Sequence, residues 1–273
     1  MIFIWIITWR KRAIVFLLLS LFFFIPSQRI LNYHPKENNT GNLKVITFNT
    51  KNGSYDTSSS KTPVADYIEK HNPDIVLVQE NHQGLGEGDS VKSPVIQLST
   101  KHKILDRKHL INDNSNGHSF YADIEVRGKI VRVINVYLQP FQLQKSMVKP
   151  TLDAAADQAK AKKLIFRLVP TFKAHVNQVH QIREAVESSP YPVILAGDFN
   201  SVPNSWEYFN LVKGLKDPFL EVGHGLGTSF HDYKFPIRID YIFTSESIKP
   251  VSYQVDRSET MSDHFPVIAT FDF

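Results

Sequence analysis

The stretch Pro192-Val-Ile-Leu-Ala-Gly-Asp-Phe-Asn-Ser-Val-Pro-Asn-Ser205 decides the reading, because a short apolar run empties directly into Gly197, Asp198 and Asn200. Residues 193–196 suit a strand covered on both faces. Gly197 permits a sharp exit, or the close approach of a ligand that a side chain would block. With an extended backbone past Gly197, period-two geometry sets the Asp198 carboxylate and the Asn200 amide on one side. They then stand at the carboxyl end of a strand, where ligands of layered α/β folds gather. The same residues also serve as plain turn formers ahead of Pro203, so other segments must decide between the two uses.

Several other apolar runs end in polar groups. Residues 43–48 read as a first strand ending at Asn49, Pro63 opens a helix through Ile68, and residues 75–79 form a second buried strand ending at Glu80. The glycines from Gly84 to Gly88 fit no phosphate-cradling spacing and read as a solvated loop. Four cations between Lys101 and Lys108 read as a solvated strand face. Residues 119–126 alternate, Gly128 turns the chain and residues 130–138 return, a hairpin whose second strand shows Val131, Val133, Asn135 and Tyr137 on one face. Structural and functional uses of Asn135 and Tyr137 stand level on this evidence.

Toward the C-terminus, Asp240 lies inside the otherwise apolar Arg238-Ile-Asp-Tyr-Ile-Phe243, and Ser262-Asp-His-Phe-Pro266 precedes a last strand over 267–271. A buried Asp needs a partner. A histidine suits it, since a carboxylate on one ring nitrogen fixes the tautomer while the other nitrogen faces substrate. Asp240 with His264 is the expected pair. Residues 153–169 and 171–188 read as two outer-layer helices broken by Pro170. His175 and His180 are five apart, off the i,i+4 spacing that presents two ligands to zinc, and read as surface histidines. Trp206, Tyr208 and Phe209 follow a cap at Asn204 or Ser205 and read as core or rim packing, with a cleft-lining role as the alternative.

The 273 residues are 42% hydrophobic, enough for one large cored domain and an appendage. Absence of cysteine excludes disulfide scaffolds, thiol nucleophiles and cysteine-zinc sites, so a metal must be held by oxygen or imidazole. Residues 1–31 are a different material: an apolar start, the basic clamp Arg10-Lys11-Arg12, then an unbroken apolar run over 13–25. Three cations at the centre of one span cost roughly 8–10 kcal/mol, so the clamp belongs at a membrane surface. The run itself gives about 20 Å of helix against a ~30 Å hydrocarbon core, short for a span and right for a signal core. No small-x-small cleavage site follows, which favours an uncleaved membrane anchor, or the remnant of a multi-span region, over a removed signal. Arg10-Lys11-Arg12 outweighs the lone Arg29, so the clamp is expected on the cytoplasmic side and the domain on the translocated side. Residues 32–42 read as a polar linker and 43–273 as the catalytic domain. The first 41 residues hold five Lys or Arg and one acidic residue, leaving 26 of each sign beyond. A formally neutral domain gives no licence for a nucleic-acid surface.

Together and in this order, Asn49 after a first strand, Pro-Asp-Ile-Val-Leu-Val-Gln-Glu80, Asn-Val-Tyr-Leu138, Gly-Asp-Phe-Asn200, Arg-Ile-Asp-Tyr-Ile242 and Ser-Asp-His-Phe-Pro266 resemble the endonuclease/exonuclease/phosphatase superfamily over residues 43–273. The resemblance implies a four-layered α/β sandwich, two packed mixed sheets with helices outside, and divalent-metal-dependent cleavage of phosphate esters. It implies Glu80 as principal Mg2+ ligand, assisted by Asn49 and Asp263, with Mn2+ as a substitute. It further implies that Asp198 and Asn200 position water and phosphate, and that His264, oriented by Asp240, serves the phosphate side. Tyr137 departs from the histidine of sphingomyelinase-like and deoxyribonuclease-like members and resembles the abasic-site endonucleases. Gly-Asp-Phe-Asn-Ser-Val-Pro-Asn-Ser205, by contrast, resembles the phosphatase and phosphodiesterase branches. A lipid head group or small phosphate ester is the expected substrate, a nuclease acting on DNA or RNA is the alternative, and a phosphate-binding module without turnover is a third reading.

Overall fold

The computed structural model describes residues 2–3, 10–35, 41–51, 63–81, 85, 88–111, 115–143, 154–232 and 236–273. In chain order, α1 (Arg10–Gln28) and β1 (Leu31–Tyr33) precede β2 (Leu43–Asn49), α2 (Pro63–His71), β3 (Ile75–Gln79), β4 (Asp89–Lys92), β5 (Ile96–Thr100) and β6 (Lys103–His109). Then follow β7 (His118–Val126), β8 (Lys129–Tyr137), α3 (Ala154–Glu187), β9 (Val193–Asp198), α4 (Trp206–Val212), α5 (Pro218–Val222) and β10 (His224–Leu226). Strands β11 (Asp240–Thr244), β12 (Lys249–Val255) and β13 (Val267–Asp272) close the chain.

A six-stranded sheet in the order β12-β13-β2-β3-β5-β4 packs on a five-stranded sheet in the order β11-β9-β8-β7-β6. Both are mixed, with parallel pairs at β2-β3 and β8-β9. The inner faces meet in one apolar core, where Val45, Leu77 and Leu98 of the first sheet join Phe120, Val133, Ile194 and Ile242 of the second. Each such side chain contributes roughly 1.5–3 kcal/mol over leaving it in water. Helix α2 covers the outer face of the first sheet through Val64 against Val76 and Val78. Helices α3 and α4 cover the second through Val179, Ile182, Tyr208 and Leu211 against Ile134, Leu195 and Phe243. The result is the expected four-layered α/β arrangement of two mixed sheets between helices.

Several local expectations resolve differently. Helix α3 runs through Pro170 as one 34-residue element instead of breaking there. His175 is fully buried, not on the surface, because the second half of α3 is clamped against α4; His180 stays exposed. Gly197 (φ +143°) makes room for a strand and not for a ligand, since a Cβ there would overlap the Val136 carbonyl of β8. Asn135 is a structural residue: it is buried between the sheets, accepts from Gln79 Nε2 at 2.8 Å and donates to the Gln97 carbonyl at 3.0 Å.

The N-terminal segment also departs from its reading. Among the described residues no helix is long and apolar enough to cross a membrane, so the expected spanning anchor finds no span here. The 19 residues of α1 include the basic clamp, which leaves only the short apolar run, and its side chains from Ile14 to Phe24 are largely exposed. The first residues of the expected linker are not free chain. Strand β1 pairs with β10, the Asn32 amide donates to the Phe219 and Leu220 carbonyls at 3.0 Å each, and His34 contacts the Leu220 carbonyl. Residues 36–40 of that stretch, like most of the glycine-containing loop at 84–88, lie outside the described residues.

Beneath this junction lies a fully buried ion pair. Arg238 donates from both terminal nitrogens to Asp217, at 2.8 and 2.7 Å, stacks near Phe219 and reaches the Arg29 carbonyl at 3.2 Å. Removing one partner strands a charge in an apolar setting. Asp217→Ala is therefore expected to lower unfolding free energy by ~3–5 kcal/mol in urea denaturation; a loss under about 1 kcal/mol would show the pair to be dispensable.

Candidate active site

The polar strand ends named above converge because of register. Parallel pairing aligns Asn49 with Gln79 and Tyr137 with Asp198, and antiparallel pairing sets Asp240 opposite Asp198. Strand β13 lies antiparallel to β2, so the segment before it, carrying Asp263 and His264, arrives at the same edge. Asp198 is the centre of the group and is buried. Its Oδ2 accepts from Asn49 Nδ2 at 2.9 Å and from Asn200 Nδ2 at 3.3 Å, and its Oδ1 accepts from the Asn200 backbone N–H at 2.8 Å.

Asn200 does not continue the strand as expected. Its φ of +46° turns the chain, its backbone N–H closes an Asx-type turn onto Asp198, and its side-chain amide donates to the Leu138 carbonyl at 2.9 Å. Glu80 (φ +51°) and Lys51 (φ +46°) adopt the same left-handed backbone. Three non-glycine residues held in a sparsely populated region at one cleft mark a place where position outranks local comfort.

Glu80 is held from behind. Asn49 Nδ2 donates to its Oε1 at 3.2 Å and the Tyr137 hydroxyl donates to the same atom at 2.9 Å. Burial first, and then the Glu80 charge, push the Tyr137 phenol far above its ordinary range, so it stays protonated and donating. Asn49 and Tyr137 are almost fully buried and stand behind the cleft, whose wall is formed by Glu80, Asp263, Lys51, Asp198, Asn200 and His264. Tyr137, whose structural and functional uses stood level in the sequence, reaches the site through this bond to Glu80.

His264 presents Nδ1 to Asp240 Oδ2 at 2.8 Å and Nε2 toward Asp198 Oδ2 at 3.9 Å. The Ser229 hydroxyl donates to the same Asp240 oxygen at 2.6 Å, fixing the carboxylate. Burial alone would lower the imidazole pKa, but the Asp240 carboxylate and its hydrogen bond outweigh it and raise His264 to about 9. Asp198 moves upward as well, through burial first and then the Asp240 charge, against the pull of His264 and its amide donors. Two carboxylates share one imidazolium, and the second carboxylate takes up a proton more readily than a free one would.

Two groupings have donors fit for a metal. Asp198, Asp240 and His264 offer ligand atoms all within 4.8 Å of one another. Within that cluster His264 Nδ1 is already spent on Asp240 at 2.8 Å, while Nε2 stands 3.9 Å from Asp198, so the imidazole is committed to a carboxylate on one side. The Asp263 carboxylate pairs with the Lys51 ammonium, whose pKa rises through that hydrogen bond and through the nearby Glu80 charge. A cationic side chain thus stands where Glu80 and Asp263 face the cleft. An all-oxygen acidic pair holding a positive charge at a solvent-open edge fits a hard divalent cation.

Lys51, Ser229 and the apolar wall of Phe141, Phe172 and Phe230 were not legible in advance. No spacing announces them, since each arrives from a loop or helix face outside the strand ends. His175 and Glu207 are a further buried pair, 2.8 Å apart, and His175 Nε2 meets the Gln139 carbonyl at 2.8 Å, bracing the loop that carries Phe141.

The model of the Endonuclease/Exonuclease/phosphatase family matches residues 46–264. The chain belongs to this family. No curated protein matches the chain significantly. Among solved structures, the Bacteroides thetaiotaomicron mannosyl-6-phosphatase is 19% identical with a TM-score of 0.61, covering 85% of this chain and 100% of its own. D. rerio TDP2 in complex with single strand DNA product is 16% identical with a TM-score of 0.57, covering 85% and 99%. An Enterococcus faecalis protein of unknown function is 15% identical with a TM-score of 0.60, covering 84% and 99%. At these identities the likeness establishes the fold shared with other family members.

If His264 and Asp240 act as one unit, their substitutions are far from additive. Asp198→Asn and His264→Ala are each expected to lower turnover of a phosphate ester by at least ~10²-fold with unchanged circular dichroism. Adding Asp240→Asn to His264→Ala is expected to cost little more. Losses that multiply across the two positions would separate their roles.

Proposed function

We propose that this protein is a metal-dependent hydrolase of phosphate esters, acting on a lipid head group or a small phosphate ester in preference to duplex DNA. The observation that carries the reading is the convergence of Glu80, Asp263, Asp198, Asn200 and His264 on one cleft, with Glu80, Asp198 and His264 held by hydrogen bonds from Asn49, Asn200 and Asp240. Glu80 and Asp263 would hold a magnesium or manganese ion, with Asn49 and Tyr137 fixing Glu80. When bound, such an ion supplies positive charge against phosphoryl oxygens and acidifies water. Asp198 takes the proton of the attacking water at a carboxylate oxygen, while Asn49 and Asn200 keep that carboxylate aimed. His264 donates from Nε2 to the phosphate side as the phosphorus–oxygen bond breaks, and Asp240 supports the imidazolium.

Size and charge support a small or membrane-borne ester. The cleft measures about 450 Å³, within the range of small-ligand pockets. Affinity for duplex DNA depends on releasing counterions through many Lys and Arg contacts, and the domain beyond residue 41 is formally neutral. The likeness to a mannosyl-6-phosphatase agrees with this choice. The likeness to TDP2, whose solved complex holds single strand DNA, makes a nuclease the second reading. Three cations, Arg10-Lys11-Arg12, before the apolar run against Arg29 and Lys36 after it support a membrane-tethered protein whose domain lies on the non-cytoplasmic side.

Assays retain residues from Arg29 onward, because trimming to residue 42 strips β1 from β10. At about 150 mM salt, phospholipid vesicles or small esters are expected to be cleaved faster than plasmid or abasic oligonucleotide, with activity lost in chelator and restored by magnesium or manganese. Efficient nicking without release from lipid or small esters would make the protein a nuclease, and full turnover in excess chelator would remove the metal from the mechanism. For topology, a reporter after Phe273 is expected to be active only outside the cytoplasm; activity confined to the cytoplasm would reverse the orientation.

A further inference from the structure

Around the cleft lies apolar surface that the reaction does not use. On α3, Ile165 is 61% and Phe166 71% exposed, with Val169, Phe172 and Val176 also exposed. At 100° per residue these five fall within an arc of about 120° and a length of about 17 Å. The flank of the same helix beyond Phe172 is the buried one, through His175, Gln178, Val179 and Ile182. Between Asp157 and Pro170 no residue of α3 is buried, so this half projects from the domain with an apolar face turned outward.

The stripe is continuous with the cleft. Phe172 lines it and stacks edge-on with Phe141, their ring centroids 5.0 Å apart. Val202 of the cleft wall is exposed, as are Trp206 and Phe209 of α4, and Trp206 meets His180 of α3 ring to ring at 6.2 Å. Arg29, at the foot of α1, lies 4.8 Å over the Phe209 ring and bonds Asn204. The apolar helix α1 thus leaves the domain beside the same opening. Lys162 and Lys173 lie on the arc of the stripe, both exposed, in the manner of cations that place an apolar stem at an interface and a charge in the head-group layer.

We propose that the α3 stripe docks the cleft mouth onto an anionic lipid bilayer, making a second membrane contact besides α1. This rests on the reading that the substrate is a phosphate ester, and it selects an ester presented at the bilayer surface. Positive charge beside the stripe favours anionic lipid over a second copy of the same basic face, which would repel itself.

The chain has no cysteine, so Phe166→Cys and, as a repeat, Ile165→Cys each give a unique site for a nitroxide label on the full-length protein. Lys249→Cys, exposed on β12, is the control. On phosphatidylcholine vesicles containing about one third phosphatidylglycerol, the α3 labels are expected to lose accessibility to an aqueous nickel chelate severalfold and gain it to oxygen, while the control stays aqueous. α3 labels that stay aqueous, or that insert equally into pure phosphatidylcholine, overturn the proposal. So do labels already shielded in vesicle-free solution with dipolar broadening, which would place a second copy on the stripe. Turnover of a soluble ester by the labelled protein separates the two ideas: turnover with aqueous labels leaves the hydrolase standing, and inserted labels without turnover of any ester leave only the docking surface.

Discussion

A carboxylate buried where two sheets meet must be satisfied by its surroundings, and Asp198 imposes that demand on most of the site. Its donors come from β2 through Asn49 and from the turn after β9 through Asn200, so the two sheets are tied at the edge where they open. The same amide of Asn49 also reaches Glu80, which extends the tie to β3. A small shift of one sheet over the other would break several of these bonds together. The apolar core between the sheets holds the register that keeps them made.

Around this tie the charges are arranged in pairs. Asp240 and Ser229 orient His264 against Asp198, and Lys51 answers the acidic edge of Asp263 and Glu80. The Lys51 charge thus sits at the open end of the site, while the hydrogen bonds of its interior are buried. Preorganisation of this kind lets groups act on developing charge without rearranging when the reaction occurs. The left-handed backbone at Glu80 and Asn200 is the local cost of that arrangement.

The N-terminal junction gives the cleft an orientation. Arg238 binds the Arg29 carbonyl from its buried pair with Asp217, and β1 adds to β10, so α1 leaves from a fixed point and not from a flexible tether. Trp206 and Phe209 are exposed on α4, and Phe172 carries the outward face of α3 into the cleft wall.

Strand ends carrying Asn49, Glu80, Asp198, Asp240 and His264 were legible in the sequence because each apolar run breaks at a polar residue, and burial of such runs forces their ends to a common edge of a sheet. The hairpin at Gly128 followed from the same patterning, whereas the four layers were implied by the resemblance of the motifs to the family. Local sequence could not tell that Asn135 bonds within the core while Tyr137, on the same face, reaches Glu80, because that depends on which sheet lies opposite each. Nor could it foresee His175 buried against Glu207, since its partner is 32 residues away on another helix. Pro170 reads as a break in isolation, yet α3 passes through it. Periodicity and side-chain chemistry are properties of the chain and were determined by sequence alone; Lys51 against Asp263, Ser229 against Asp240 and the aromatic wall were decided by tertiary packing, because nothing short of the assembled sheets brings those segments within bonding distance.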